Sequence, residues 1–489
     1  MKTTERHFQN YKENIVGQDT VLDLPYGRKK LIYADWIASG RLYKPIEDLI
    51  SNKIGAMVAN THSYSSETGQ TITLCYGKAR QIIKDHINAG KKDILLTTGS
   101  GSTGALAKLL RIMGLRWPQA AKAKAIFDEN ERPVVFITHM EHHSNHVPWM
   151  ESVADVVILP PDEKMQVNPD VLREKITAYQ DRPMKIGAFT ACSNVTGIIT
   201  PYHELAIIMH QHGGFCFMDF AASAPYTEIN MHPEDPLQRL DAIFFSPHKF
   251  LGGPGSCGVL AFNKTLYPYD CPDHPGGGNV KWTDPWGNHS FFDDIEARED
   301  GGTPGFLQVI KAALSIKLKE SMGLDNIRKR ETELLEVCIS ELSQIPKVFI
   351  LGEETHNRIG CVSFGISGVH YNLIVRLLND RFGIQVRGGW SCASTYSHYL
   401  FNINKGLSKV ITTNIDEKNF TDKPDWVRLS LHPTMANEEL LFITNAVRLI
   451  AVNIDEWEKD YTYCPHNNEF VHNSYPQKEI NDFSHWFDV

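Results

Sequence analysis

Apolar runs and helix-like segments alternate through the middle of this chain. Short runs rich in β-branched and aromatic residues lie at 93–98, 133–138, 156–159, 185–190, 214–218 and 241–245. Segments of helical spacing separate several of these runs, at 105–113, 145–151 and 201–212. This alternation predicts an α/β fold with a mostly parallel central sheet and helices on both faces. Such sheets bind ligands beyond the carboxyl ends of their strands, so the turns after these runs are the candidate sites.

The pattern changes after residue 303. Two long helical segments run to about 324 and through 342, and short strands then mix with further helices up to residue 452. Such mixing predicts a second, smaller α+β domain. The predicted parts are an N-terminal segment at 1–30 that packs with the small domain, a large domain at 31–310, the small domain at 311–454 and a surface tail at 455–489.

Composition narrows the class of protein. A length of 489 residues exceeds one ordinary core and agrees with two domains. The net charge of 49 − 58 = −9 disfavours a large nucleic-acid surface. No apolar run approaches membrane-spanning length, and no secretory signal is visible. The nine cysteines are scattered without a CxxC pair, which indicates reduced thiols, so we expect a cytoplasmic protein.

A lysine and an aspartate follow two of the predicted strands. Lys249 ends a Ser-Pro-His-Lys sequence after the run at 241–245, and Asp219 directly follows the run at 214–218. A lysine held among apolar residues loses its proton more easily and becomes a nucleophile. An imine-forming lysine and an acid for a pyridinium nitrogen are the pair that pyridoxal phosphate (PLP) chemistry requires. Taken alone, Lys249 would be interpreted as an ordinary surface lysine.

The glycine-rich stretch at 99–104 lies between a predicted strand and a predicted helix. Amides at a helix N-terminus, aided by hydroxyl groups, bind anions, and a monophosphate is the interpretation that we favour. The stretch also satisfies the GxGxxG pattern, so a nicotinamide-dependent dehydrogenase stays open. No acid follows at the end of a second strand, as a dinucleotide site would require. A glycine turn without a ligand is the third interpretation.

Four histidines fall within residues 139–146. Paired imidazoles make a metal-binding scaffold an alternative, but no HExxH motif and no second cluster of ligand spacing is present, so no metal is predicted. An aromatic lid over a cofactor ring needs one of these histidines. For His139 and His146 we favour helix capping or an exposed polar position.

Three later positions each offer a polar group after or within a strand. Asn194 follows the run at 185–190 and either bonds a ring oxygen or is a simple turn residue. Cys392 lies in a loop beside Arg387 and is either a reactive thiol or a small buried hydrophobe. Arg428 interrupts an apolar strand, where it binds a substrate carboxylate or forms an internal salt bridge.

In this order, the motifs resemble those of the class V aminotransferase group of fold-type I PLP enzymes, and most closely its cysteine desulfurase and selenocysteine lyase branch. The resemblance covers residues 33 to 450 and rests on the motifs at 140–145, 193–197, 219, 246–249, 302–304 and 387–393. It implies the fold-type I architecture, PLP as the cofactor, a small amino acid as the substrate and a homodimer.

The resemblance also implies roles for the cofactor-binding residues. Lys249 is similar to the Schiff-base lysine, Asp219 to the partner of the pyridinium nitrogen, and His143 to the residue that stacks on the ring and shuttles protons. The positions similar to phosphate-binding residues are Gly101, Ser102, Ser246, His248 and Thr303, of which the family supplies Thr303 from the neighbouring subunit.

On the substrate side, Asn194 resembles the amide near the ring oxygen, and Arg428 with Arg387 resembles the clamp for the substrate carboxylate. Cys392 falls where desulfurases keep the thiol that takes up sulfur and leaves alanine. This implies a persulfide on the enzyme, and a protein is a possible acceptor for its sulfur.

The chain departs from the desulfurase pattern in three places. Ala222 stands where desulfurases usually have glutamine, Trp390 and Ser391 replace the residues usual before the cysteine, and the segment at 402–424 is longer. The PLP prediction stands, and the substrate stays open. The alternative is a class V aminotransferase, lyase or epimerase in which Cys392 is structural.

Overall fold

The computed structural model describes residues 3–99, 101–122, 129–421, 423–476 and 478–488, so Ser100 of the glycine-rich stretch lies outside them. The strands, in chain order, are β1 (Val21–Leu24), β2 (Gly27–Lys30), β3 (Ile32–Tyr33), β4 (Asp93–Thr98), β5 (Val134–Thr138), β6 (Asp155–Leu159), β7 (Lys185–Thr190), β8 (Phe215–Asp219), β9 (Ala242–Phe245), β10 (Gly258–Asn263), β11 (Val280–Thr283), β12 (His289–Phe291), β13 (Val348–Ile350), β14 (Cys361–Ile366), β15 (Ile384–Gln385), β16 (Arg387–Gly388), β17 (Val427–Ser430), β18 (Tyr461–Cys464) and β19 (Glu469–His472).

The α-helices are α1 (Thr3–Glu13), α2 (Lys44–Asp48), α3 (Glu67–His86), α4 (Gly101–Ile112), α5 (Gln119–Lys122), α6 (Val147–Met150), α7 (Pro169–Ile176), α8 (Tyr202–Gln211), α9 (Ile295–Arg298), α10 (Phe306–Met322), α11 (Leu324–Ser343), α12 (Tyr371–Phe382), α13 (Ser394–Leu400), α14 (Lys405–Asp416) and α15 (Asn437–Trp457). Among the described residues, no helix is both long enough and apolar enough to cross a membrane.

A central sheet orders its strands β4-β10-β9-β8-β7-β5-β6. All of them run parallel except β10, which pairs antiparallel with β4 and with β9. The register sets Thr190 beside Asp219 and Asp219 beside Phe244, so β7, β8 and β9 end along one edge. The predicted mostly parallel α/β sheet is confirmed, although β10 is absent from the sequence prediction.

Both faces of this sheet are buried, which explains why its strands are continuous apolar runs. In β5, Val134 and Phe136 join one apolar cluster, whereas Val135 and Ile137 join another. Successive side chains of a strand point to opposite faces, so these clusters lie on the two sides of the sheet. Helices α3 and α10 contribute to the first cluster and α4 to the second.

The smaller sheet has the order β13-β14-β17-β16, with antiparallel neighbours. Its apolar cluster draws on α11, α12 and α15. The predicted boundary at 310/311 falls inside α10, and α15 extends past the predicted end at 454. The predicted tail contains the hairpin of β18 and β19.

The N-terminal segment contacts the C-terminal half of the chain. Strand β3 pairs in parallel with β15. The Asn437 N–H at the start of α15 donates to Oε1 of Glu5, and the Tyr26 hydroxyl donates to the Asp460 carboxylate. The stretch just after β3 continues beside β17, where Asp35 and Ser430 form an isolated parallel bridge.

Candidate active site

A cleft of about 660 Å³ opens beyond the carboxyl ends of the central strands. Its walls come from β7, β8 and β9, the start of α4, and the small-domain loops around β16 and β17. Ten of the residues predicted from the sequence line it: Gly101, Ser102, Asn194, Asp219, Ser246, His248, Lys249, Arg387, Cys392 and Arg428. Of the predicted set, only His143 and Thr303 are outside this lining.

Lys249 ends a single 3₁₀ turn, Pro247–Lys249, directly after β9. Its N–H donates to Ser246 O at 3.0 Å, and Gly253 packs so closely behind the turn that a Cβ there would lie 1.8 Å from Pro247 O. Burial disfavours the ammonium ion and lowers the pKa of Lys249 to about 8, although the nearby Asp219 opposes this shift. The amine is therefore far more available as a nucleophile than a surface lysine.

Asp219 is the last residue of β8, and it is buried. Its Oδ1 accepts the Ala221 N–H at 2.8 Å. Burial raises the pKa of Asp219 to about 6, against the opposing effects of that bond and of the Lys249 charge. A protonated heterocyclic nitrogen set against this carboxylate would supply the counter-charge that a buried anion needs.

The glycine-rich turn forms the anion-binding end of the cleft. Gly101 has a φ of 60°, and a Cβ on it would lie 2.8 Å from Ser246 Oγ. The Ser102 N–H donates to Ser246 Oγ at 2.8 Å, and this oxygen donates to Ser102 Oγ at 3.2 Å. These hydroxyls lie at the N-terminus of α4, where the helix dipole favours an anion. A phosphate group fits this cradle.

An ion triad closes the opposite end of the cleft. Asp35 Oδ1 accepts Nη2 of Arg428 at 2.9 Å, and its Oδ2 accepts Nε of Arg387 at 3.1 Å. Asp35 is buried, and the sequence analysis missed it. Two guanidinium groups against one carboxylate leave one net positive charge for a ligand. A substrate carboxylate is the ligand of matching charge.

Within the described parts of the chain, Asn194 Oδ1 and Arg428 Nε are buried atoms on this side without a hydrogen-bond partner. The remaining groups of both side chains are engaged, since Asn194 Nδ2 donates to Ser391 O at 2.7 Å and Arg428 Nη1 donates to Asn194 O at 3.1 Å. Buried polar groups are normally paired, so the free acceptor and the free donor mark where a polar ligand fits.

His142, rather than His143, faces the cleft. Its Nδ1 accepts the Ser144 N–H at 3.1 Å, which leaves the ring proton on Nε2. Burial, together with the charges of Lys249, His143 and Arg428, lowers the pKa of His142 to about 3, so the ring is neutral. The histidine that lines the cleft therefore comes one residue before the predicted His143, because the chain turns into a short 3₁₀ segment, His143–Asn145, directly after His142.

The histidines of this segment point in different directions. His139 Nε2 contacts Met165 O, His143 Nε2 contacts Ser394, and His146 Nδ1 contacts Thr395 Oγ1. Throughout the part of the chain that the structure describes, no three His, Cys, Asp or Glu side chains gather as metal ligands.

Cys392 is exposed at the rim of the cleft. Ser391 and Cys392 adopt φ values of 50° and 58°, in the left-handed region. Thr303 is exposed and lies apart from the cleft of its own chain. Ala222, the departure from the desulfurase glutamine, lines the cleft with a side chain that offers no hydrogen bond.

Over residues 32–441 the chain matches the family described as Aminotransferase class-V. The chain belongs to this family, whose members are PLP-dependent enzymes. The match confirms the predicted family and agrees with the pairing of Lys249 and Asp219 in one cleft.

Similar proteins carry the name "Probable cysteine desulfurase". One from Halalkalibacterium halodurans is 29% identical over 386 residues, which cover 78% of this chain and 88% of the relative. One from Staphylococcus aureus is 27% identical over 424 residues, which cover 83% of this chain and 96% of the relative.

Solved structures confirm the fold. A cysteine desulfurase from Thermococcus onnurineus superposes with a TM-score of 0.72 at 22% identity, covering 91% of this chain and 98% of that one. A cysteine desulfurase from Escherichia coli gives a TM-score of 0.69 at 19% identity, with the same coverage of 91% and 98%.

Proposed function

We propose that the cleft holds PLP on Lys249 and that the enzyme removes sulfur from L-cysteine, or selenium from selenocysteine, leaving alanine. The observation that carries the cofactor assignment is the pairing of Lys249 and Asp219 in one cleft that also contains an anion cradle. When bound, PLP withdraws electrons from the bonds at the α-carbon of an amino acid.

Different residues of the cleft would bind different parts of PLP. The Lys249 amine would bind its aldehyde carbon, and the Asp219 carboxylate would accept a hydrogen bond from its ring nitrogen, which keeps that nitrogen protonated. The neutral His142 ring would lie against the heterocycle. The phosphate would be held by the cradle of Gly101, Ser102, Ser246 and His248. Burial, with the Lys249 charge, lowers the pKa of His248 to about 4, and the negative charge of a phosphate would oppose this shift. In either charge state the imidazole has an N–H to donate.

The amino acid substrate is held at the other end. Its carboxylate binds Arg428, with Arg387 beside it, and the unpaired Nε of Arg428 supplies a free donor. Asn194 lies next to this arginine and offers its free Oδ1 to a substrate or cofactor donor. Lys249, once its amine is free, is the base that moves the proton of the substrate α-carbon.

Cys392 then takes up the sulfur. Its thiolate attacks the substrate sulfur, an S–S bond forms, and the carbon–sulfur bond breaks as that carbon gains a proton. In net terms, cysteine and the enzyme thiol become alanine and an enzyme persulfide, so no external oxidant is needed. The exposed rim position of Cys392 supports this role, as do the names of the relatives.

The assembly follows from the same proposal. Thr303 is exposed and apart from its own cleft, which fits a homodimer in which it reaches the phosphate of the partner's cofactor. An exposed persulfide is also open to a protein sulfur acceptor. All nine cysteines are free, which fits a reducing compartment such as the cytoplasm.

A second candidate keeps PLP and changes the reaction. Ala222 supplies no hydrogen bond in the cleft, which favours a class V aminotransferase, lyase or epimerase in which Cys392 is structural. Conversion of PLP to its amine form by keto acids would identify transamination.

The test is product analysis of the PLP-loaded enzyme with L-cysteine. We expect alanine and sulfide in the presence of a thiol reductant, and loss of both in Cys392→Ala. Cys271→Ala is the matched control, because Cys271 is also exposed but lies outside the cleft. Unchanged turnover in Cys392→Ala would remove the persulfide step, and absence of alanine with every variant would remove the desulfurase assignment.

A further inference from the structure

The loop that carries Cys392 adopts a conformation that it would not keep unaided. Both Ser391 and Cys392 have positive φ, which is unfavourable for residues with a Cβ. Such conformations persist only where surrounding contacts hold them. The contacts on either side of Cys392 therefore determine where its thiol stands.

One contact fixes the peptide before Cys392 and another fixes the peptide after it. Asn194 Nδ2 donates to Ser391 O at 2.7 Å. The main-chain N–H of His143 donates to Cys392 O at 2.7 Å. The two peptide groups that flank Cys392 are thus hydrogen-bonded to Asn194 and to His143.

The His143 side chain adds a second hold on the same loop. The N–H of Ser394 donates to His143 Nε2 at 3.1 Å, and Ser394 Oγ lies 2.7 Å from the same nitrogen. A main-chain N–H can only donate, so Nε2 is unprotonated and the imidazole acts as an acceptor. Burial lowers the pKa of His143, which favours this neutral form.

This imidazole replaces the missing cap of α13. The helix begins at Ser394, and its N-cap residue, Ala393, supplies no side-chain hydrogen bond. The first N–H groups of a helix have no partner within the helix and need an external acceptor. His143 Nε2 is that acceptor for Ser394.

Neighbouring histidines dock on the same helix. The ring of His139 packs edge-on against Tyr396 at 5.4 Å and against Tyr399 at 5.5 Å. His146 Nδ1 lies 3.3 Å from Thr395 Oγ1. His139, His143 and His146 thus pack against α13. His142 is the member of this histidine cluster that lines the cleft.

We propose that His143 is the positioning residue of the sulfur-accepting loop. Its main-chain N–H holds Cys392 O, its ring holds Ser394, and it touches neither cofactor nor substrate. The proposal rests on the proposed function for its meaning in turnover, but the contacts can be tested without turnover. The histidine cluster then serves one purpose: it fixes the helix that follows the reactive cysteine.

The experiment compares His143→Ala with His143→Gln in the PLP-loaded enzyme. Gln retains a side-chain oxygen near the place of Nε2 and is expected to keep the bond to Ser394. By hydrogen–deuterium exchange, the amide of Ser394 should exchange about five-fold faster in His143→Ala, as loss of one typical hydrogen bond requires, and near the wild-type rate in His143→Gln. Wild-type exchange in His143→Ala, or equal acceleration in both variants, would overturn the proposal.

Turnover supplies the second readout. Misplacement of Cys392 in His143→Ala should lower kcat for L-cysteine about ten-fold and leave KM and the visible spectrum of the cofactor unchanged. Recovery of kcat in His143→Gln is expected. An altered cofactor spectrum in His143→Ala would contradict the proposal, since the ring would then contact the cofactor. If the exchange result holds and no variant makes alanine, the proposed function fails and the loop contact stands.

Discussion

Asp35 and Arg428 form a buried ion pair, Oδ1 to Nη2, at 2.9 Å, although 393 positions separate them in the chain. The same carboxylate also receives Arg387, so one buried anion orients both guanidinium groups at the substrate end of the cleft. A buried ion pair whose partner is removed leaves an uncompensated charge. Asp35 therefore contributes to stability, and under the proposed function it also sets the geometry of the arginines that bind the substrate carboxylate.

Asp35→Asn should destabilise the protein and weaken substrate binding. We expect the free energy of unfolding to fall by about 3–5 kcal/mol, because Arg428 stays buried without its counter-ion. The KM for the amino acid should rise, since the arginines lose their orientation. Urea unfolding and steady-state kinetics measure the two effects.

Asp19→Asn is the matched control for this prediction. Asp19 pairs with Lys30 at the same 2.9 Å, but both side chains are exposed. Exposed ion pairs contribute little to stability because water and salt screen them, so this change should be nearly neutral. Equal losses in Asp19→Asn and Asp35→Asn would contradict the role assigned to the buried pair.

Replacement of His142 should weaken PLP binding, whereas replacement of the adjacent His143 should not. His142 faces the cleft and His143 faces Ser394. Removal of an aromatic contact of about 1–1.5 kcal/mol predicts that His142→Ala weakens PLP binding about ten-fold, whereas His143→Ala leaves it unchanged. Titration of each cofactor-free variant with PLP, followed by visible absorbance, measures the affinities. A loss confined to His143→Ala would restore the assignment made from the sequence.

Gly101→Ala should damage the phosphate cradle. The residue has positive φ, and a Cβ would meet Ser246 Oγ at 2.8 Å, so the cradle must shift. Gly213→Ala is the control, because Gly213 has a similar φ of 69° but open space around it. We expect both to lose about 1 kcal/mol of stability from backbone strain. Only Gly101→Ala should also weaken the affinity for PLP and for inorganic phosphate, and equal affinities would count against the cradle.

The pH dependence of PLP capture follows from Lys249. Its amine reacts when unprotonated, and burial lowers the pKa of Lys249 to about 8. The rate of PLP capture by the cofactor-free enzyme should therefore rise with pH around a midpoint near 8, well below the ordinary value of 10.5. Asp219 opposes the shift, so its removal should move the midpoint to lower pH. Stopped-flow absorbance across pH 6–11 checks both, and a midpoint near the ordinary lysine value would exclude Lys249 as the capturing amine.

The sequence predicts the position of a strand well where both faces of the strand are buried, because the strand is then a near-continuous apolar run. β4 and β7 have the predicted bounds, β9 begins one residue later than predicted, and β8 is shifted by one residue at both ends. Strand β10 also contains an unbroken buried apolar run, Val259–Phe262, so its position did carry a signal. Its antiparallel direction depends on pairing with β4 and β9, which are distant in sequence. Helix α3 is missing from the sequence predictions, although the sequence does indicate it. Ser66 caps the helix, and its buried residues recur at helical spacing: Ile72, Tyr76, Ala79 and Ile83.

The sequence predicts a site residue well where that residue lies at the end of a predicted strand. Asp219 and Lys249 follow neighbouring parallel strands, so their meeting at one edge is a consequence of the topology. The choice between His142 and His143 depends on one backbone turn, which residue types do not determine. Asp35 lies in a short N-terminal stretch whose partners come from the far end of the chain, so no local pattern marks it.

The central claim is a covalent bond between PLP and one particular lysine, and the chain offers an internal comparison. Lys319 is also buried, and burial lowers its pKa to about 7, yet it donates to Ala224 O and Thr227 O and lies outside the cleft. Borohydride reduction of the PLP-loaded enzyme, followed by peptide mapping, distinguishes the two amines. The structure predicts a single pyridoxyl label on Lys249; a label on Lys319, or no label on either lysine, would contradict the assignment.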